Sequence, residues 1–125
     1  MKKIINIPNV PVPVGPYSQA IMLNDMLYAS GQIAIDPITG KLITGSVEKE
    51  IKQILYNIDA LLEAAKMKRK NIVKCSIFLK YKDDFVLVND IYANYFVAPF
   101  PARETVEVSR LPKDVSIEIS FIASK

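Results

Sequence analysis

The stretch that decides the fold is residues 47–67, VEKEIKQILYNIDALLEAAKM. Its apolar side chains recur at steps of one and three residues, which places them on one stripe of a helix. They are Ile51, Ile54, Leu55, Ile58, Leu61, Leu62 and Ala65. Ser46 can cap the start of this helix, and Glu48 and Glu50 suit the positive end of its dipole. The spacing therefore predicts an amphipathic helix with one face on a core.

The segments around this helix predict a sheet and a second helix. Strand patterns bounded by turn-forming residues occur at 17–23, 26–31, 32–35, 73–80, 102–108 and 115–123. The first two flank Asn24-Asp25 and predict a hairpin, and 36–40 predicts a turn. The first sixteen residues hold four of the eight prolines and predict an extended lead-in. A second helix is predicted over 84–96, closed by Pro99 and Pro101.

This order of elements predicts one α+β domain over residues 1–125, with two helices on one face of a mixed or antiparallel sheet. Alternation along each strand then assigns its side chains to a face. The residues expected to face the core in 73–80 and in the second helix are Val73, Cys75, Ile77, Leu79, Phe85, Val88, Tyr92, Tyr95 and Phe96. Cys75 is accordingly predicted to be a buried structural thiol.

The helix-free face of the sheet is expected to carry polar residues of interest. In 102–108, Val106 and Val108 have the parity assigned to the core, so Arg103 is expected to point away from the helices. Glu118 in the last strand is expected on that same face. Phe78 and Ile122 also fall there, which makes the face too apolar to remain in water and predicts self-association.

The composition limits the chemistry available to the chain. Its 125 residues include no histidine and one cysteine, with a net charge of +3. This excludes a Ser-His-Asp triad, a Cys-His pair, a histidine-ligated metal site and a disulfide within the chain. No apolar run approaches the roughly 20 residues of a membrane span, and Pro8 interrupts the N-terminal run too early for a signal peptide. We therefore expect a soluble protein of a reducing compartment such as the cytoplasm, without a metal or a membrane partner.

Six short motifs occur in a fixed order along the chain. They are GPYSQA at 15–20, ASGQI at 29–33, DPxTG at 36–40, PARxTVxV at 101–108, RLPK at 110–113 and IEI at 117–119. Together they resemble the reactive intermediate deaminase family (RidA, also called YjgF), over essentially the whole chain. The resemblance implies a chorismate-mutase-like subunit in a homotrimer, with small-molecule sites in the clefts between subunits.

The same resemblance implies an enzyme that needs no cofactor. Its reaction would be hydrolysis of reactive 2-imino acids or their enamine tautomers, such as 2-iminobutanoate and 2-iminopropanoate, to 2-oxo acids and ammonia. Pyridoxal-phosphate-dependent dehydratases would supply these imines. Arg103 matches the family arginine that binds the substrate carboxylate, and Glu118 matches the glutamate near the attacking water, so these two are the predicted catalytic residues. The other predicted substrate-binding positions are Tyr17, Ser30, Gly31, Asn89 and Thr105.

Two positions depart from the family pattern. Thr105 stands where many members have cysteine, and its backbone is expected to preserve the contact with substrate. Glu104 stands where small residues are usual, and it is expected to add negative charge near the anion site. An arginine fork matches a planar carboxylate with two parallel hydrogen bonds. Imines already hydrolyse in water, so positioning and one carboxylate are expected to suffice for catalysis.

Two other functions remain open on the sequence. An RNA-binding, endoribonuclease-type translation inhibitor would use the basic residues Lys66, Lys68, Arg69, Lys70 and Lys74. Those cations follow a helix C-terminus, which favours positive charge, and no aromatic residue is interleaved with them, so we do not expect a nucleic acid partner. The second alternative is a non-catalytic, chaperone-like trimer that binds a metabolite in the same clefts.

Overall fold

The computed structural model describes residues 1–8, 13 and 15–125, so the predicted proline-rich lead-in lies partly outside the described residues. In chain order the elements are β1 (Lys3–Ile5), β2 (Ala20–Leu23), β3 (Met26–Gln32), α1 (Val47–Ala64), β4 (Ile72–Leu79), α2 (Phe85–Tyr95), β5 (Ala102–Glu107) and β6 (Ile117–Ser124). Short 3-10 turns lie at Arg69–Asn71, Lys82–Asp84 and Pro112–Asp114.

The six strands form one mixed sheet in the order β1-β2-β3-β6-β4-β5. All neighbours are antiparallel except β4 and β5, which run parallel with α2 as their crossover. Both helices pack on one face of this sheet and against each other. The α+β architecture expected from the sequence is confirmed. The short edge strand β1 was not expected, because its three residues give too little alternation to recognise.

The core lies between the helices and the central strands. The apolar stripe of α1 is almost wholly buried, and it packs with the alternate residues Ile117, Ile119, Phe121 and Ala123 of β6. Each fully buried aliphatic side chain of this kind contributes about 1.5–3 kcal/mol to folding. Ser46 caps α1 as predicted, since its Oγ accepts a hydrogen bond from Lys49 N at 3.2 Å.

Three details differ from the sequence prediction. There is no separate strand over 32–35 in the described chain: Gln32 ends β3, and Ile35 makes an isolated bridge with Leu42. Val73 is 46% exposed while Ile72 is buried, because the β4–β6 register shifts between Ile72 and Lys74 and inverts the alternation there. Phe85 opens α2 at the surface and is 38% exposed rather than buried.

An arginine, an aspartate and a tyrosine tie the two helices together. Arg69 donates to both carboxylate oxygens of Asp59, at 3.0 Å from Nε and 2.8 Å from Nη2. Its guanidinium lies 4.0 Å above the ring of Tyr95, whose hydroxyl donates to Asp59 Oδ1. We call these three residues the Asp59 cluster. It fixes the segment after α1 onto the C-terminal end of α2.

Neither helix within the described ranges is long and apolar enough to cross a membrane.

Candidate functional site

Arg103 lies on the helix side of the sheet, which contradicts the sequence prediction. The parallel register places Arg103 opposite Cys75 and Thr105 opposite Ile77. Cys75 and Ile77 are buried beneath the helices, and residues opposite each other in a ladder share a face. Val106 has the other parity and is 43% exposed on the helix-free face. Because β5 is an edge strand with both faces partly exposed, its own apolar pattern does not identify its inner face. The pairing with β4 does.

Arg103 is held by one face of α2. Its Nη1 donates to Asn89 Oδ1 at 2.9 Å, and its guanidinium carbon lies 4.9 Å from the ring centre of Tyr92 and 5.7 Å from that of Phe85. The three α2 residues are spaced by four and three positions, so they share one face of the helix. All three are neutral. The positive charge of Arg103 therefore has no carboxylate partner within the described chain.

Behind Arg103 lie residues of the buried core, among them Tyr92 and Cys75. Burial raises the pKa of Tyr92 and that of the Cys75 thiol, so both groups stay protonated at neutral pH. The Cys75 side chain is buried as predicted. The hydroxyls of Tyr92 and Thr105 are also buried, and neither has a hydrogen-bond partner in the described part of the chain.

A second group of predicted site residues surrounds a bulge in β3. The β3–β6 register passes from Ala29 opposite Phe121 to Gln32 opposite Ile119. Two residues of β3, Ser30 and Gly31, therefore oppose one residue of β6, as in a β-bulge. The Ser30 hydroxyl donates to Ser18 O at 2.6 Å, which fixes the bulge to the chain just after Tyr17. Tyr17 itself is 56% exposed.

Gly31 leaves room for the side chain of Glu118. A Cβ at position 31 would overlap the carboxylate of Glu118, so any larger residue would displace that carboxylate. Glu118 lies opposite Phe78 on the helix-free face. Burial raises its pKa, and no ion pair of its carboxylate occurs among the described residues. A carboxylate in such a place is suited to accept a proton and return it.

The seven predicted residues thus fall into two groups. Tyr17, Ser30, Gly31 and Glu118 lie at or beside the β3 bulge, and Arg103, Asn89 and Thr105 lie at the β5 edge. Arg103 and Glu118 are on opposite faces of the sheet, not on one face as expected. Strand β4 also separates β6 from β5, which adds about 10 Å. One chain therefore does not bring the two groups together around one small molecule.

Glu104 points away from Arg103, contrary to the expectation for it. It shares the helix-free face with Ser76, and its Oε1 is 3.3 Å from Lys74 Nζ. Its neighbour in sequence, Arg103, points to the other face because successive residues of a strand alternate. Glu104 therefore pairs with a lysine instead of adding charge near the anion site.

Phe85 and Tyr92 are expected only in the core from the sequence, whereas in the structure both also lie near the guanidinium of Arg103. Their spacing with Asn89 on α2 was the available signal. It became informative only when the β4–β5 register placed Arg103 beside that face. No group of three or more acidic or cysteine side chains in the described ranges is arranged to hold a metal ion.

Comparisons with known proteins agree with the motifs. The family model described as Endoribonuclease L-PSP matches residues 7–125. A RutC family protein of Pyrococcus horikoshii is 49% identical over 125 residues, covering 100% of this chain and 99% of that protein. The 2-iminobutanoate/2-iminopropanoate deaminase of Bos taurus is 43% identical over 123 residues, covering 98% of this chain and 90% of that protein.

The fold agrees as well. The crystal structure of a conserved Rid family protein of unknown function from Yersinia pestis matches with a TM-score of 0.95 and 50% identity, covering 100% of both chains. The match spans the elements that carry Arg103 and Glu118. The chain therefore belongs to the Endoribonuclease L-PSP family, the RidA/YjgF proteins that its sequence motifs resemble.

Proposed function

We propose that this protein hydrolyses reactive 2-imino acids to 2-oxo acids and ammonia, with 2-iminobutanoate and 2-iminopropanoate as candidate substrates. The observation that carries the proposal is Arg103, whose guanidinium is held by neutral groups alone and keeps its charge for an anion. A 2-imino acid offers a planar carboxylate beside its C=N bond, and that carboxylate fits an arginine fork. The deaminase name of a relative that is 43% identical supports the same reaction.

The reaction follows from the groups at the two sites. Arg103 binds the carboxylate, and the backbone near Thr105 and the Ser30 bulge fix the rest of the substrate. Glu118 accepts a proton from water, whose oxygen attacks the imine carbon. Glu118 returns this proton to the imine nitrogen, which gives a neutral carbinolamine. Glu118 then takes the hydroxyl proton of the carbinolamine and delivers it to the amino group, so that the C–N bond breaks, the C=O bond forms and ammonia is released. The oxygen comes from water and no electrons are exchanged, so no cofactor is required.

A complete site in this proposal uses two copies of the chain, because one copy holds Arg103 and Glu118 on opposite faces of the sheet. The helix-free face supports self-association: Tyr28, Phe78, Val106 and Ile122 all lie on it, and Tyr28 and Val106 are exposed. A ring of three copies that buries this face would place the β5 edge of one subunit beside the β3 bulge of the next. The cleft between them would hold the substrate.

The proposed activity is tested in an assay that couples an imine-generating enzyme to this protein. An amino-acid oxidase or threonine dehydratase generates the imine in the presence of semicarbazide, which traps it, and the protein is added in catalytic amounts. We expect trapped imine to decrease as 2-oxo acid is formed faster. Trapping that is the same with and without the wild-type protein would refute the proposed activity.

The shared site is tested by mixing two inactive variants. Arg103→Ala and Glu118→Gln chains are unfolded together at equal amounts and refolded. If each site takes Arg103 from one copy and Glu118 from another, about one quarter of the sites are intact in a random mixture, because each contributing copy is the competent one half of the time. Recovery of about a quarter of wild-type activity is expected. Activity no higher than that of the separately refolded variants would show that the two residues belong to one chain's site or that the assignment is wrong.

The endoribonuclease name of the family keeps an RNA function as a second candidate. The structure weakens the basic cluster on which the sequence argument for RNA rested. Arg69 is occupied by Asp59, and Lys74 pairs with Glu104 on the helix-free face. RNA binding would show an affinity that falls steeply with salt.

A metabolite-binding regulator remains the other alternative, and it would bind 2-oxo acids at Arg103 without accelerating imine loss.

A further inference from the structure

The Arg103 side chain rests on an aromatic surface that belongs to the core. Tyr92 is 3% exposed, and its ring packs at 4.8 Å, tilted by 56°, against Phe96. The same ring also lies near the guanidinium of Arg103, whose carbon is 4.9 Å from the ring centre. One side of this ring is therefore anchored in the hydrophobic core while the ring also supports an exposed cation at the sheet edge.

This support matters because the Arg103 side chain has no ion pair within the described chain. The residue is exposed on an edge strand, and its single hydrogen bond within the described chain goes to Asn89. When a long side chain becomes ordered only on ligand binding, the conformational entropy it loses weakens the binding. A ring that already holds the guanidinium reduces this cost.

An aromatic ring also holds a guanidinium without consuming its hydrogen bonds. The attraction is between the cation and the ring quadrupole, so the N–H groups that Asn89 does not use remain available in the guanidinium plane. A carboxylate at the same place would hold Arg103 equally well but would occupy the donors needed by an anionic ligand. The ring therefore fixes the position of the guanidinium and leaves its remaining N–H donors available to a ligand.

We propose that Tyr92 is a positioning residue that holds Arg103 in its carboxylate-binding orientation through the face of its ring, with Phe85 as a weaker second contact. The proposal rests on the proposed function in that Arg103 is taken as the carboxylate anchor. The Tyr92 hydroxyl has no part in it, since that group is buried and without a partner in the described chain.

The experiment measures carboxylate binding and turnover separately. Affinity for 2-oxobutanoate is determined by calorimetry and by the NMR signal of the Arg103 Nε–H group, and KM and kcat come from the coupled imine assay. Tyr92→Leu is expected to weaken affinity and raise KM by roughly tenfold, with kcat changed by less than about threefold. Tyr92→Phe is expected to retain both wild-type values within about twofold, because the ring remains.

Tyr95→Leu is the matched control. It removes a second buried tyrosine of α2, whose ring supports Arg69 rather than Arg103. It is expected to destabilise the fold but to leave 2-oxobutanoate affinity unchanged. If Tyr95→Leu weakens the affinity as much as Tyr92→Leu, the effect comes from loss of helix packing and the proposal is wrong.

An isosteric ring covers the case in which Tyr92→Leu does not fold. Pentafluorophenylalanine incorporated at position 92 keeps the shape of the Tyr92→Phe variant and removes the negative face of the ring. Weaker affinity than in Tyr92→Phe supports the proposal, and equal affinity overturns it. Binding of 2-oxobutanoate without any effect on imine loss would instead refute the proposed deaminase activity and leave the role of Tyr92 to be decided by these affinities.

Discussion

Two arginines of this protein rest on tyrosines of the same helix but have opposite surroundings. Arg69 lies over Tyr95 and binds both carboxylate oxygens of Asp59. Arg103 lies over Tyr92 and bonds to the neutral amide of Asn89. The first arginine has its counter-ion within reach, whereas the second has none in the described chain.

The carboxylates show the same contrast. Asp59 accepts from Arg69 and from the hydroxyl of Tyr95, whereas Glu118 is half-buried with a raised pKa and is kept from Arg103 by the sheet. In the pair of Arg69 and Asp59, each charge is already matched by the other. An arginine and a carboxylate that cannot reach each other remain available to a ligand. The two pairs contain the same kinds of charged group and differ in whether those groups are partnered within the described chain.

The largest expected difference is between the two arginine-to-alanine variants, one of which should lose activity and the other stability. Arg103→Ala is expected to lower kcat/KM by about two to four orders of magnitude, because a charge-assisted bidentate contact is lost. Its stability should stay within about 1 kcal/mol of wild type, since the partners are neutral and the side chain is exposed. Arg69→Ala should lose about 1–2 kcal/mol of stability and keep its activity. Urea denaturation and the imine assay check both, and the reverse pattern would exchange the two roles.

The second prediction changes the charge of each arginine's partner, so that Arg103 gains a carboxylate and Arg69 loses one. Asn89→Asp gives Arg103 an internal carboxylate that competes with substrate, so KM should rise by roughly ten- to a hundredfold with a smaller change in kcat. Asp59→Asn makes the partner of Arg69 neutral and should cost about 1 kcal/mol of stability without altering KM. Steady-state kinetics and thermal denaturation measure both effects. An unchanged KM in Asn89→Asp would show that the free charge of Arg103 is not what binds substrate.

The smallest effect is on the stability of Glu118→Gln at different pH values. Burial raises the folded-state pKa of Glu118 above its unfolded value, so between these two values the folded chain holds more protons. The stabilisation from the protonated form is complete below the unfolded pKa and is lost as pH rises through the folded pKa. Glu118→Gln, which is never charged, should therefore be more stable than wild type at neutral pH, with the difference shrinking toward acid pH, while turnover is lost. Melting curves across this range would contradict the assignment if the difference grew on acidification.

The sequence predicted the architecture well because its strongest signals are periodic. The stripe in α1 and the alternation in β6 each follow from repeated burial on one side of an element, and burial of apolar surface dominates folding energetics. The site motifs also identified the family. The sequence failed where the pattern was short or one-sided: at β1, at the register shift beside Val73, and at β5.

Strand β5 shows why those failures matter for function. Arg103 and Thr105 lie on one face of β5 and Val106 on the other, and neither face is clearly more apolar. Only the ladder with β4 shows that Arg103 faces α2 and Glu104 faces Lys74. A shift of one residue would exchange these two faces, so the pairing with β4, rather than the sequence of β5 itself, decides on which face the charge of Arg103 lies.

The sequence by itself determined the α+β fold, the family and the residue types available for chemistry, because these depend on local periodicity and on motifs within short segments. The tertiary structure decided which charges are neutralised. Asp59 and Arg69 are ten residues apart and meet across the end of α1, whereas Arg103 and Glu118 lie in neighbouring blocks of sequence and are separated by the sheet. The Coulomb energy depends on distance and surroundings, and folding sets both.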